Sequence, residues 1–127
     1  AMTSACLTLL YEAACPIWPW DHFRERGLLV EAFPAAQLRL WDLPHVGYNG
    51  DSSDALSKRQ VLIDFLSNRM HLGPYKEKME KSADALDAVL CSFAAIAVTT
   101  NHWVETQEKW PLDEGLIAVY SKVSIDL

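Results

Sequence analysis

Apolar residues near the start of the chain fall at Ala5, Cys6, Leu9, Leu10 and Ala13, a helical repeat. This spacing predicts a helix over residues 3–15, capped by Thr3 or Ser4 and closed by Pro16. Pro16, Trp18, Pro19, Trp20 and Phe23 then break the period and read as a loop pinned by aromatics, with a short helical turn over 21–26. Leu28 to Phe33 is an apolar run between Gly27 and Pro34, the pattern of a buried strand interrupted by Glu31. Pro34 suits the first turn of a helix, and Pro44 stops that helix after Leu38, Leu40 and Trp41. Phe33, preceding a proline, is biased toward extended backbone, as a strand-to-helix corner requires.

Residues 45–53 are polar, with Gly47, Asn49 and Gly50 marking a loop. Asp54 is placed to cap a helix from Ala55 to about Arg69, with an apolar face of Leu62, Phe65, Leu66 and the Arg69 stem, flanked by Val61 and Met70. Residues 72–81 read as a polar connection broken at Gly73 and Pro74. Ser82 caps the most regular helix, Ala83 to about Thr100, whose core face is Leu86, Val89, Leu90, Phe93, Ala94 and Ala97. An irregular stretch over 101–114 leads to a second short strand, Leu116 to Tyr120. The expected fold is therefore helix-rich α/β over a single domain, 1–127, with about four helices and a minimal sheet near 28–33 and 116–120.

Half of the 127 residues are hydrophobic and 22% are charged, ordinary for a globular chain and unlike a disordered one. The net charge of −6 disfavours contact with a phosphate backbone, which normally needs Lys and Arg to neutralise it. The basic residues come in small groups (Arg24 and Arg26; Lys58 and Arg59; Lys76, Lys78 and Lys81), so nucleic acid is at most a secondary expectation as partner. Three cysteines with no CxxC argue against a disulfide framework and a zinc knuckle, and predict free thiols in a reducing, cytoplasmic setting. The apolar start lacks a basic flank, contains Glu12 and is too short to span a bilayer, so no membrane partner is expected. The four histidines are scattered without an HxxxH or HxH pair. No GxSxG, P-loop or GxGxxG occurs.

Three acids stand out chemically. Glu31 interrupts a hydrophobic run, where a carboxylate is costly unless paired or bound to a cation. Asp84 and Asp87 lie three apart on a helix, so their Cβ atoms sit roughly 5–6 Å apart on one face. Hard divalent cations prefer such oxygens, and two ions about 3.5–4 Å apart can clamp a phosphodiester during hydrolysis. Each acid also has a structural reading. Glu31 can face water by strand alternation, Asp84 can stabilise the first helical turn, and Asp87 can mark a solvated stripe.

The string Val30-Glu31-Ala32-Phe33-Pro34-Ala35-Ala36, then Leu38-Arg39-Leu40-Trp41 and Gly47-Tyr48, resembles one segment of the domain of unknown function 429 family. Asp84-Ala85-Leu86-Asp87-Ala88-Val89-Leu90-Cys91 with Ala94-Ala95, and Glu114-Gly115-Leu116-Ile117, resemble two more. Members are described as predicted nucleases with an RNase H-like, resolvase-like fold. The resemblance implies that Glu31 is the central-strand acid, that Asp84 and Asp87 are the helix acids, and that the three hold Mg²⁺ or Mn²⁺ as catalytic ligands. It covers the chain from about Thr3 to Tyr120. Two departures stand beside it. Family members are about twice as long and open with a glycine-rich β-hairpin bearing an essential Asp, so this sequence matches only the C-terminal half. Asn49 also stands where a Lys often follows the middle-motif Tyr.

A sheet lacking its first strands would leave bare edges, which favour association. The expectation is a homodimer with a large apolar interface drawn from Trp18, Trp20, Leu28, Leu29 and Trp41, or a complex with a chain that supplies the missing strands. The tryptophans read as core or interface rather than as base-stacking platforms. Two functions follow: an oligomeric, non-catalytic or binding remnant of an RNase H-like ancestor, or a Mg- or Mn-dependent nuclease acting as a dimer or with a partner chain.

Overall fold

The computed structural model describes residues 2–21, 27–104 and 116–121, with side chains from Leu7 onward. Within them lie five helices: α1 (Met2–Ala13), α2 (Pro34–Leu40), α3 (Ser53–Ser67), α4 (Tyr75–Lys81) and α5 (Ala83–Thr99). The expected helical turn over 21–26 and most of the irregular stretch over 101–114 fall outside the described residues.

Local chemistry sets the helix ends. Pro34 occupies the start of α2 behind an extended Phe33. Asp42 closes α2 in the left-handed region at φ 57°, donating its N–H to the Arg39 carbonyl at 3.1 Å, and Leu43 N–H reaches the Leu38 carbonyl at 3.0 Å. That pair of bonds is a Schellman closure. α5 ends the same way on Asn101, φ 55°, with Asn101 N–H on Val98 and His102 N–H on Ala97 at 2.8 Å. Ser52 Oγ, rather than Asp54, caps α3 by accepting the Ala55 N–H at 3.1 Å. Asp54 lies two residues further on, within the first turn, and pairs with Lys58 at 2.7 Å. Ser82 ends α4 with extended backbone and caps α5 at Ala85, so one residue makes the 119° bend between the two helices.

The helix α4 occupies residues read from sequence as a connection. Its seven residues are mostly charged and Met79 alone is buried, so no apolar period announces it. Its docking supplies the stability that its composition lacks.

Packing centres on α5, which lies against α2 and α4, while α3 packs on α4. Leu86, Leu90, Phe93, Ala94 and Ala97 are buried as their period predicts, and all but Ala94 meet Leu62, Ile63 and Leu66 of α3 and Leu38 of α2 in one core. Val61, expected to flank that core, is half exposed, and Ile63 takes the buried place. Trp41 stacks edge-on against Phe93 at 4.9 Å between ring centres and tilts over Phe65 at 5.4 Å. At 5% exposure Trp41 is core, which corrects its expected place on an interface: the α2 closure turns the indole inward.

The expected strands are present only as isolated bridges. Leu29 pairs in parallel with Ile17, Glu31 in parallel with Ile117, and Tyr120 antiparallel with Trp103. The backbone order is thus 17, 29–31, 117–120, 103, with single bonds such as Ala118 N–H to the Glu31 carbonyl at 3.0 Å. The ladder does not lengthen because a side chain intervenes. Buried Gln37 of α2 donates its amide N–H to the Tyr120 carbonyl at 3.1 Å and accepts the Tyr120 N–H at 2.8 Å. No single helix among the described residues is long and apolar enough to cross a membrane.

Candidate functional site

Asp84, Asp87 and Cys91 follow one another at helical spacing along α5, so they share a stripe. Over that stripe lies the turn Gly47-Tyr48-Asn49-Gly50. Gly47 adopts φ 75°, a conformation in which a side chain would be strained. The turn delivers Tyr48 into the core at 6% exposure, where its hydroxyl donates to Asp87 Oδ1 at 2.7 Å.

The same turn is held from beneath by α3. Arg59 is 2% exposed, and its Nη1 donates to the carbonyls of Tyr48 at 2.8 Å and Gly50 at 2.7 Å. Its Nε is buried without a hydrogen-bond partner. A guanidinium in such surroundings is expensive to desolvate, and the two carbonyls offset part of that cost. Arg59 and Tyr48 together form a clamp between α3 and α5, with the turn as its bar.

Electrostatics follow from this packing. Burial pushes the Tyr48 hydroxyl well above the ordinary tyrosine range. The hydrogen bond to Asp87 and the charge of that carboxylate push it further, with a smaller contribution from Cys91. Tyr48 is therefore a neutral donor at any ordinary pH. Burial, then the Asp87 charge, also raises the Cys91 thiol, which disfavours a reactive thiolate.

Of the acids singled out by sequence, Asp87 is half-buried and engaged by Tyr48. Asp84 is exposed in the first turn of α5, where it complements the helix dipole. Glu31 has an exposed side chain, while its backbone serves the bridge to Ile117. Among the described residues no group of three or more His, Cys, Asp or Glu is gathered so as to hold a metal ion. The geometry thus brings Asp87 to Tyr48, and does not assemble Glu31, Asp84 and Asp87 into a three-carboxylate cage. The extended segment turns Glu31 to solvent, as strand alternation allows.

Sequence reasoning assigned no role to Tyr48 or Arg59. The signal for Arg59 was nonetheless present. It lies three residues before Leu62 and seven before Leu66, on the buried stripe of α3. Nothing local marks Tyr48 as the partner of a residue 39 positions away.

These features define a helix-dominated protein with a tyrosine–carboxylate latch under a glycine-flanked turn. Residues 18–111 match the family described as protein of unknown function (DUF429), and the chain belongs to that family. No curated protein and no solved structure matches it.

Proposed function

We propose that this chain is a non-catalytic association module of RNase H-like descent that works as a homodimer. The observation that carries this reading is the engagement of Asp87. The acid most needed for a metal site on α5 accepts a hydrogen bond from the buried Tyr48 hydroxyl at 2.7 Å, while Glu31 and Asp84 point to solvent. A carboxylate satisfied by a neutral donor serves packing. The two parallel pairings flanking Leu29 and Glu31 support the RNase H-like descent, since parallel neighbours suit an α/β sheet.

Support for self-association comes from α1. Among the described residues it makes no extensive packing with another helix, and Leu7, Leu9 and Tyr11 on it are 62%, 65% and 87% exposed. Trp20 and Phe33 add exposed aromatic surface at 57% and 54%. Apolar area of this kind is what a shared interface removes from water.

Light scattering after size exclusion tests the dimer, and calorimetric titration with Mn²⁺ tests the site. The expected results are twice the chain mass and no binding at millimolar Mn²⁺. Submillimolar Mn²⁺ binding with cleavage of single-stranded DNA or RNA, both lost in Asp87→Asn, would overturn the reading in favour of a Mg- or Mn-dependent nuclease.

A further inference from the structure

A second cleft, of about 610 Å³, opens at the C-terminal end of α5, away from the latch. Trp18, Trp103, Leu28 and Val98 are among the residues that line it. The two ring centres stand 5.3 Å apart at 74°, so the indoles meet edge to face, in a corner rather than a stack. Trp103 is fixed in that corner, since its Nε1–H donates to Asn101 Oδ1 at 3.2 Å and Asn101 is itself locked in the α5 closure. Both indoles are only half-buried.

Three features give this cleft a sign. Indole faces carry negative quadrupole density, so a cation placed over the face of either ring is attracted. The cleft also lies at the negative end of a 17-residue helix whose last turn contains no basic residue. Asp21 lines the wall, and among the described residues no lining residue is basic. Asp21 engages a further group as well, so the preference for positive charge rests first on the indoles and the helix end.

A compact metal ion does not suit such walls, because hard cations require oxygen ligands. A strongly hydrated primary ammonium also loses more water than indole faces return. An alkylated ammonium has a diffuse charge and an apolar coat, which matches a corner of two indoles lined by Leu28 and Val98. We infer that the cleft binds an alkylated ammonium group, of the trimethylammonium type, carried either by a small amine or by a methylated lysine side chain. The volume accommodates a group of that size with part of its tether.

The test is an NMR titration of the intact chain, following the indole N–H signals of Trp18 and Trp103 as identified by single Trp→Phe variants. Choline is compared with 3,3-dimethylbutanol, its uncharged carbon isostere, and with acetylated trimethyllysine amide. The expected result is saturable shifts at both indoles, with choline held about tenfold more tightly than the isostere. Tighter retention of choline or of the lysine derivative supports the inference and identifies the source of the group. Trp103→Ala is expected to abolish binding, and Trp103→Phe to restore part of it, because the phenyl face is the weaker of the two. Equal affinity for choline and its isostere would show a merely apolar cleft and overturn the inference. So would the absence of saturable shifts at millimolar choline. Both comparisons are made on the unmodified chain, with the Trp→Phe variants serving only to identify its signals, and neither bears on the dimer or on Mn²⁺.

Discussion

Replacing Tyr48 with Phe deletes one oxygen and leaves the ring where the clamp holds it. Arg59 grips the backbone of residue 48 through its carbonyl, so the substitution retains the turn and the packing of the ring. The loss is confined to the hydroxyl donated to Asp87 at 2.7 Å. A hydrogen bond to a charged group contributes about 1.5–3 kcal/mol. Asp87 is half-buried, so water can replace part of what is lost, which favours the lower part of that range. The expected destabilisation is about 1.5–2 kcal/mol, or a fall in Tm of roughly 5–10 °C for a chain of this length. Urea unfolding of the wild type, Tyr48→Phe, Asp87→Ala and the double variant closes a cycle in which the pair should couple by about 1.5 kcal/mol. Additivity to within about 0.5 kcal/mol would refute the latch and release Asp87 for another role.

Other predictions test the surroundings. The folded protein holds the Tyr48 proton to higher pH than the unfolded chain does, so this contribution is complete below about pH 10 and is lost as pH climbs above it. The urea midpoint should accordingly fall more steeply above pH 10 in the wild type than in Tyr48→Phe. Arg59→Ala strands two carbonyls and empties buried space, and chemical denaturation should show a loss of about 3–5 kcal/mol. Ala14 sits at φ 48°, a region that costs a Cβ-bearing residue about 1–2 kcal/mol. Ala14→Gly should therefore raise the unfolding midpoint by the equivalent of roughly 0.5–1 kcal/mol, because the flexibility gained by the unfolded chain offsets part of the relief.

What the sequence made legible follows the reach of each signal. The buried face of α5 and its Ser82 cap could be read because helical period and capping act within a few residues. The same holds for Pro34 at the start of α2. The helix α4 could not be read, since its one buried side chain sets no period and its stability comes from α3 and α5. Glu31 was placed in a hydrophobic run correctly, but the run does not say which way each residue faces. Trp41 illustrates the same limit: its apolar character was plain, and whether it would cover a core or a partner depended on the turn at Asp42. The latch was illegible because a tertiary pair 39 residues apart leaves no periodic trace.

The grip of Gln37 on Tyr120 bears on the order in which the chain is made. The carboxamide is 3% exposed, and the partners for its two ends are the N–H and carbonyl of a single residue 83 positions later. A growing polypeptide can form α2 early, yet it cannot seat that carboxamide until Tyr120 has left the ribosome. Until then an amide in an apolar setting lacks both partners, at a cost of about 1–3 kcal/mol for each unmet group. Native packing of the early helices is thereby made conditional on synthesis of the segment that carries Tyr120, so a fragment released before it stays open to proteolysis.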